Sequence, residues 1–184
     1  MLDKRKFVKF QIFSTIFILI LGTLLHFTFE FSNNNIIVAS FSSVNESTWE
    51  HLKLVFFPML ITTIIGYFYF KKDIPNFICI KTIEIIFSIC FITIFFYTYT
   101  GIIGTNFAIL DIGSFFICVL LGEFIVYKKV MNDKAFCNKK VSILILVLLF
   151  LAFIIFTYFP PKINYFKDPV SGYYGIPLLF LSYE

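Results

Sequence analysis

Two histidines stand out in a chain that is otherwise mostly Phe, Ile and Leu. His51 lies in the stretch NESTWEHLK, Asn45 to Lys53, beside Glu46, Glu50 and the sole tryptophan, Trp49. His26 and Glu30 are four residues apart, which puts them on one face of a helix. Asp111 and Asp168 complete the set of ionisable groups that fall near the same ends of the apolar runs. Two chemistries suit these residue types. Glu50 or Asp111 would serve as general base, with His51 moving a proton. His26, His51, Glu46 and Asp168 offer imidazole and carboxylate donors for a divalent metal. Neither HExxH nor HxxxH occurs, so no single helix supplies the ligands and only the fold could assemble them. Hydrogen-bonded packing between helices uses the same residue types without any reaction.

Part of the stretch reads as helix-start grammar. Ser47-Thr48-Trp49-Glu50 fits the S/T-x-x-E capping box, in which Ser47 caps the helix and Glu50 reaches back to the Ser47 N–H. Such a cap is worth roughly 1 kcal/mol. Glu46 and Glu50 also suit the positive end of the helix dipole, and Trp49 suits a membrane interface. His51 has no such explanation, because an imidazolium at a helix N-terminus opposes the dipole. Asn45-Glu46-Ser47 also matches a glycosylation sequon, a short pattern with little specificity.

The elements that must hold these groups are membrane helices. The chain is 59% apolar and 14% charged, against about 25% charged in soluble domains. A helix needs about 20 apolar residues to cross the hydrocarbon, and hydrocarbon leaves backbone amides no partner outside the helix. Five runs qualify: 7–29, 54–70, 77–99, 107–127 and 141–159. The fold expected is an all-α integral membrane protein, a single domain over 1–184 built as a bundle of five transmembrane helices. The first run is longer than a signal peptide's apolar core and no small-residue cleavage site follows, so it reads as a permanent span.

Orientation follows from the cations. Lys4, Arg5, Lys6 and Lys9, then Lys71 and Lys72, then Lys128, Lys129, Lys134, Lys139 and Lys140 lie on alternate connections. The positive-inside rule makes that side cytoplasmic. The N-terminus is then inside, the C-terminus outside, and the loop 30–53 and the tail 160–184 extracytoplasmic. In the tail, Asp168-Pro169 and Ser171-Gly172 mark turns, and Pro177 to Leu181 is apolar enough to rest on the interface. Cys79, Cys90, Cys118 and Cys137 show no CxxC spacing, and ordinary thiols are expected. On the cytoplasmic side Lys81 and Glu84 are at i, i+3 and Glu123 stands about one turn above its helix end. Snorkelling to water is the expected use of all three, and an inner relay for transport is the alternative.

In four stretches the chain resembles a bacterial family of small multi-pass membrane proteins with no assigned function. They are GTLLHF (Gly22 to Phe27), NESTWEHLKLVFFP (Asn45 to Pro58), YTYTGIIG (Tyr97 to Gly104) and KDPVSGYYGI (Lys167 to Ile176). The resemblance covers nearly the whole chain and implies an integral protein of the cell membrane. It carries over no reaction and no site residue. Three functions are compatible with the residues: an enzyme with an outer-leaflet site acting on a lipid-like substrate, a small transporter or binding protein, and a non-catalytic subunit of an envelope complex. In all three the lipid bilayer is a partner. No phosphate-binding Gly-rich loop, no GxSxG elbow and no basic-aromatic surface for nucleic acid is present.

Overall fold

The computed structural model describes residues 2–132 and 138–176. In chain order its helices are α1 (Lys4–Phe31), the single-turn α2 (Ile36–Ala39), α3 (Thr48–Phe70), α4 (Phe77–Ile103), α5 (Ala108–Met131) and α6 (Lys139–Tyr158). A 3-10 turn at Asn164–Phe166 follows. Five helices, all but α2, are long and apolar enough to cross a membrane. Among the described residues there is no strand, only an isolated antiparallel bridge between Lys167 and Tyr174. Lys134, Cys137 and the segment 177–184 lie outside the described residues.

The helices overrun the apolar runs because their backbone ladders continue into polar flanks wherever a cap closes them. Asp3 accepts from the N–H groups of Arg5 (2.9 Å) and Lys6 (3.1 Å), so α1 begins among its cations rather than after them. Asn138 caps α6 in the same way. Ser47 caps α3 from the Glu50 N–H at 3.4 Å, so α3 starts at Thr48 and Glu50, His51 and Lys53 are helical. The α4 helix stops at Gly104, where φ is +85°, a conformation that costs glycine nothing.

The burial pattern inverts that of a water-soluble bundle. Exposed side chains include Ile12, Ile16 and Ile20 of α1, Ile109, Ile112 and Leu120 of α5, and Leu144, Leu148 and Ile155 of α6. Buried side chains include Gln11, Ser14, Thr62, Lys81, Glu84, Ser88, Glu123 and Thr157. Apolar residues outside and paired polar residues inside is the arrangement a lipid solvent selects. The α3 helix is the axis. Its residues from Leu52 to Met59 are all buried, against α1, α4 and α6.

The interior is layered. An aromatic layer of Phe7, Phe70, Ile74, Phe77, Ile80 and Val126 closes the lysine-rich end. The main core, from Ile18, Val55 and Phe56 to Val119 and Phe153, fills the middle. Phe29, Ala39, Val44 and Ile176 cap the opposite end. Polar networks sit between the layers. The expectation that Lys81, Glu84 and Glu123 snorkel is corrected here: they are 1%, 0% and 6% exposed and pair with one another. Lys81 lies against both carboxylates, which offsets part of the cost of burying them. A second correction concerns sulfur. Cys79 is disulfide-bonded, while Cys90 and Cys118 are free thiols as expected.

Helix α3 contains Pro58. Proline has no N–H, so the Leu54 carbonyl one turn earlier loses its helical partner. That carbonyl points at α1 where Gly22 lies: a Cβ built on Gly22 would sit 2.5 Å from Leu54 O and 2.6 Å from Phe115 Cζ. The glycine lets two backbones meet, and the close approach suits a weak Cα–H···O contact to the freed carbonyl.

Candidate functional site

The site forms where the end of α1, the loop before α3 and the first turn of α3 meet. The loop is fixed from several directions. Asn33 and Asn34 turn the chain out of α1 with φ of 54° and 58°, a region asparagine tolerates better than most residues. The Ser42 hydroxyl donates to Leu25 O and accepts from the Phe29 N–H. The Ser43 N–H also donates to Leu25 O, at 3.3 Å. Asn45 accepts from the Ser47 N–H at 2.8 Å and donates Nδ2 to Gly175 O at 2.8 Å. The same amide nitrogen that a glycan would need is thus engaged with the tail.

Held this way, Glu46 lies over both imidazoles. Its carboxylate is 3.3 Å from His51 Nε2 and 3.9 Å from His26 Nε2. The two rings are 5.2 Å apart between centroids and tilted by 34°. One ligand atom from each of His26, Glu46 and His51 lies within 4.8 Å of the others. The site opens to the surface, with side-chain exposures of 29%, 48% and 34% respectively.

The tautomer of His51 follows from its partners. Nδ1 is 3.0 Å from the Ser47 carbonyl oxygen, which only accepts, so Nδ1 carries a proton. Nε2 then faces a carboxylate. Two lone pairs repel at that distance, so the contact requires a positive charge between them: a second proton on the ring or a metal ion. A backbone carbonyl orienting the far nitrogen is the usual support of a metal-ligating histidine. Glu46 is held below the ordinary carboxylate range, first by its hydrogen bond with His51 and then by the charges of His51 and His26, against the opposing effect of burial.

The other sequence candidates are placed differently. Glu50 faces inward, away from this cluster. Its Oε2 is 2.5 Å from Lys53 Nζ and 3.2 Å from the Val44 N–H, and its Oε1 accepts from Thr157 at 2.9 Å. Lys53 also donates to Ala39 O (2.8 Å) and to Thr157 Oγ1 (2.9 Å). The capping box is therefore half made. Ser47 caps Glu50, but Glu50 holds Val44 while Asn45 takes the Ser47 N–H. Asp111 takes a hydrogen bond from Tyr99, whose oxygen in turn accepts from the Phe107 N–H at 3.2 Å, fastening the α4–α5 turn. Asp111 still lies within electrostatic reach of His51. Asp168 organises the tail turn, accepting from the Val170 N–H (2.9 Å) and Ser171 Oγ (2.5 Å), and is not part of the cluster.

Trp49, expected at an interface, lies in the first turn of α3 and packs between α6 and the tail, with ring centroids 4.6 Å from Phe153 and 5.0 Å from Phe166. Lys53 and Thr157 complete the buried network around Glu50, although neither is among the residues expected at a site. The i, i+3 spacing of Glu50 and Lys53 was the available signal for the first; nothing in the sequence marks Thr157.

Five lipid-facing helices around buried ion pairs define a multi-pass helical membrane protein. Residues 2–176 match a family of unknown function, DUF6512, and the chain belongs to it. No curated protein matches, and no solved structure matches.

Proposed function

We propose that this protein is an enzyme of the cell membrane whose His26–Glu46–His51 cluster binds a divalent metal at the extracytoplasmic surface and acts on a lipid-like or lipid-linked substrate. One observation carries the reading: three donor atoms converge within 4.8 Å while the far nitrogen of His51 is tied to the Ser47 carbonyl. Two imidazoles and one carboxylate, with an open side, resemble the three-ligand sets of catalytic zinc, where the fourth position takes water or substrate. Such an ion would supply Lewis acidity and an activated water. Asp111, within electrostatic reach of His51, is the nearby carboxylate for proton transfer, and Tyr99 holds it in place. Substrate would reach the partly exposed cluster from the outer leaflet, along the helix ends.

Metal analysis of the protein purified in nanodiscs tests this. About one Zn²⁺ or Mn²⁺ per chain is expected after equilibration and desalting. The His51→Ala and Glu46→Ala chains should lose it and Asp168→Asn should keep it. A wild-type chain that retains no divalent ion, or a His51→Ala chain that retains the same amount, overturns the proposal.

A further inference from the structure

At the opposite end of the bundle, about two turns in from the lysine-rich ends of α4 and α5, lies a network that the metal site does not use. Lys81 contacts Glu84 Oε2 and stands 3.2 Å from Glu123 Oε1. Glu123 is fully served. It accepts from Ser14, from Lys81 and, at 2.8 Å, from Gln11 Nε2. Gln11 also donates to the Glu123 carbonyl at 3.1 Å, which fixes the amide. Glu84 is different. It is wholly buried, no donor forms a hydrogen bond to its Oε1, and the group it meets on α5 is the Glu123 carboxyl. Gly122 makes room for it: a Cβ there would lie 2.9 Å from Glu84 Cγ.

The charge count is decisive. Two carboxylates and one ammonium leave one negative charge uncompensated inside an apolar shell, an expensive arrangement unless one further cation joins. The charged or titratable groups acting on Glu84 are Lys81 from its own helix and Glu123 and Cys118 from α5. Among the described residues α1, α3 and α6 bring it no charge, and α1 supplies only Gln11 and Ser14, both to Glu123. Among the described residues nothing cancels the excess. Two carboxyls that meet bind one proton between them. Phe7, Phe70 and Phe77 close the space between this network and the lysine-rich surface.

We infer that Glu84, facing Glu123 across Lys81, is a proton-binding site within the membrane, carrying one proton behind an aromatic plug. The reading is independent of the metal cluster at the other end. Binding adds a proton to a carboxylate and consumes nothing else.

Infrared spectroscopy of the protein in nanodiscs at neutral pH, in H₂O and D₂O, tests it. The wild type should show the carbonyl stretch of a neutral carboxylic acid, shifting slowly in D₂O because the plug delays exchange. Glu84→Gln, which keeps the shape of a protonated carboxyl, should abolish it. Glu123→Gln should abolish it too, because Lys81 then balances the one remaining carboxylate. Lys81→Met should add a second such band. Helical circular dichroism and gel filtration confirm that each variant is folded. No neutral-acid band in wild type, or one unchanged in Glu84→Gln, overturns the assignment. A band that appears only when sodium is removed overturns it as well, by making the resident cation Na⁺.

Discussion

His51 commits its two nitrogens to different tasks, one to the Ser47 carbonyl and one to Glu46. The consequence for pH falls on Glu46. Its folded value is depressed below that of an ordinary glutamate, so its contribution to stability is complete above the ordinary value and is lost as pH falls through the lowered one. In metal-free protein, the melting-temperature advantage of wild type over Glu46→Gln should therefore be largest where Glu46 is ionised while His51 still holds its second proton, and vanish on acidification below that range. A difference that grows in acid would contradict the assignment. The buried pair below it obeys another rule. Lys53 is 0% and Glu50 2% exposed, so Lys53→Met strands a carboxylate and should cost about 3–5 kcal/mol; thermal unfolding in detergent measures it, and the double change Glu50→Gln, Lys53→Met should recover much of the loss. The sequence made the residue types legible, and His26, Glu46 and His51 were named from it. Their separation from Glu50 and Asp168 was not legible. Neighbours in sequence on a helix point about 100° apart, so Glu50 and His51 part company as soon as the helix starts at Thr48.

At the scale of elements, α1 and α3 meet through the freed Leu54 carbonyl and Gly22. Gly22→Ala must push the helices apart there and should destabilise by about 1–3 kcal/mol, the range for overpacking. Gly113, with nothing within 4 Å of a built Cβ, is the control, and Gly113→Ala should be neutral or slightly stabilising. Trp49 fastens the tail turn to α6, so Trp49→Ala should cost about 3–5 kcal/mol and speed proteolysis between Pro160 and Gly172; an unchanged cleavage rate would show that the Asn45–Gly175 bond suffices. All five spans were readable from apolar run length, since hydrocarbon thickness sets a length that composition betrays. Their ends were less so, because caps such as Asp3 and Asn138 extend a helix past the last apolar residue. The short α2 was missed, because one turn carries no periodicity.

For the whole molecule, the lysine-rich connections fall at one end and the His cluster at the other. If the cations face the cytoplasm, a membrane-impermeant maleimide should label Lys162→Cys in intact cells and Lys72→Cys only after permeabilisation. The reverse pattern would turn the proposed site inward and remove its outer-leaflet substrate. Both deeply buried lysines share one further property. Lys53 lies three residues after Glu50, and Lys81 three before Glu84, each couple on a single helix. A nascent segment leaving the ribosome can thus neutralise itself before any neighbouring helix exists. An unescorted lysine adds about 2.5–3.5 kcal/mol to translocon insertion at a helix centre and less near an end, where Lys53 and Lys81 lie, and α3 and α4 each bring their escort with them. Glu123 has none on α5: its partners Gln11, Ser14 and Lys81 belong to α1 and α4, both of which are made before it.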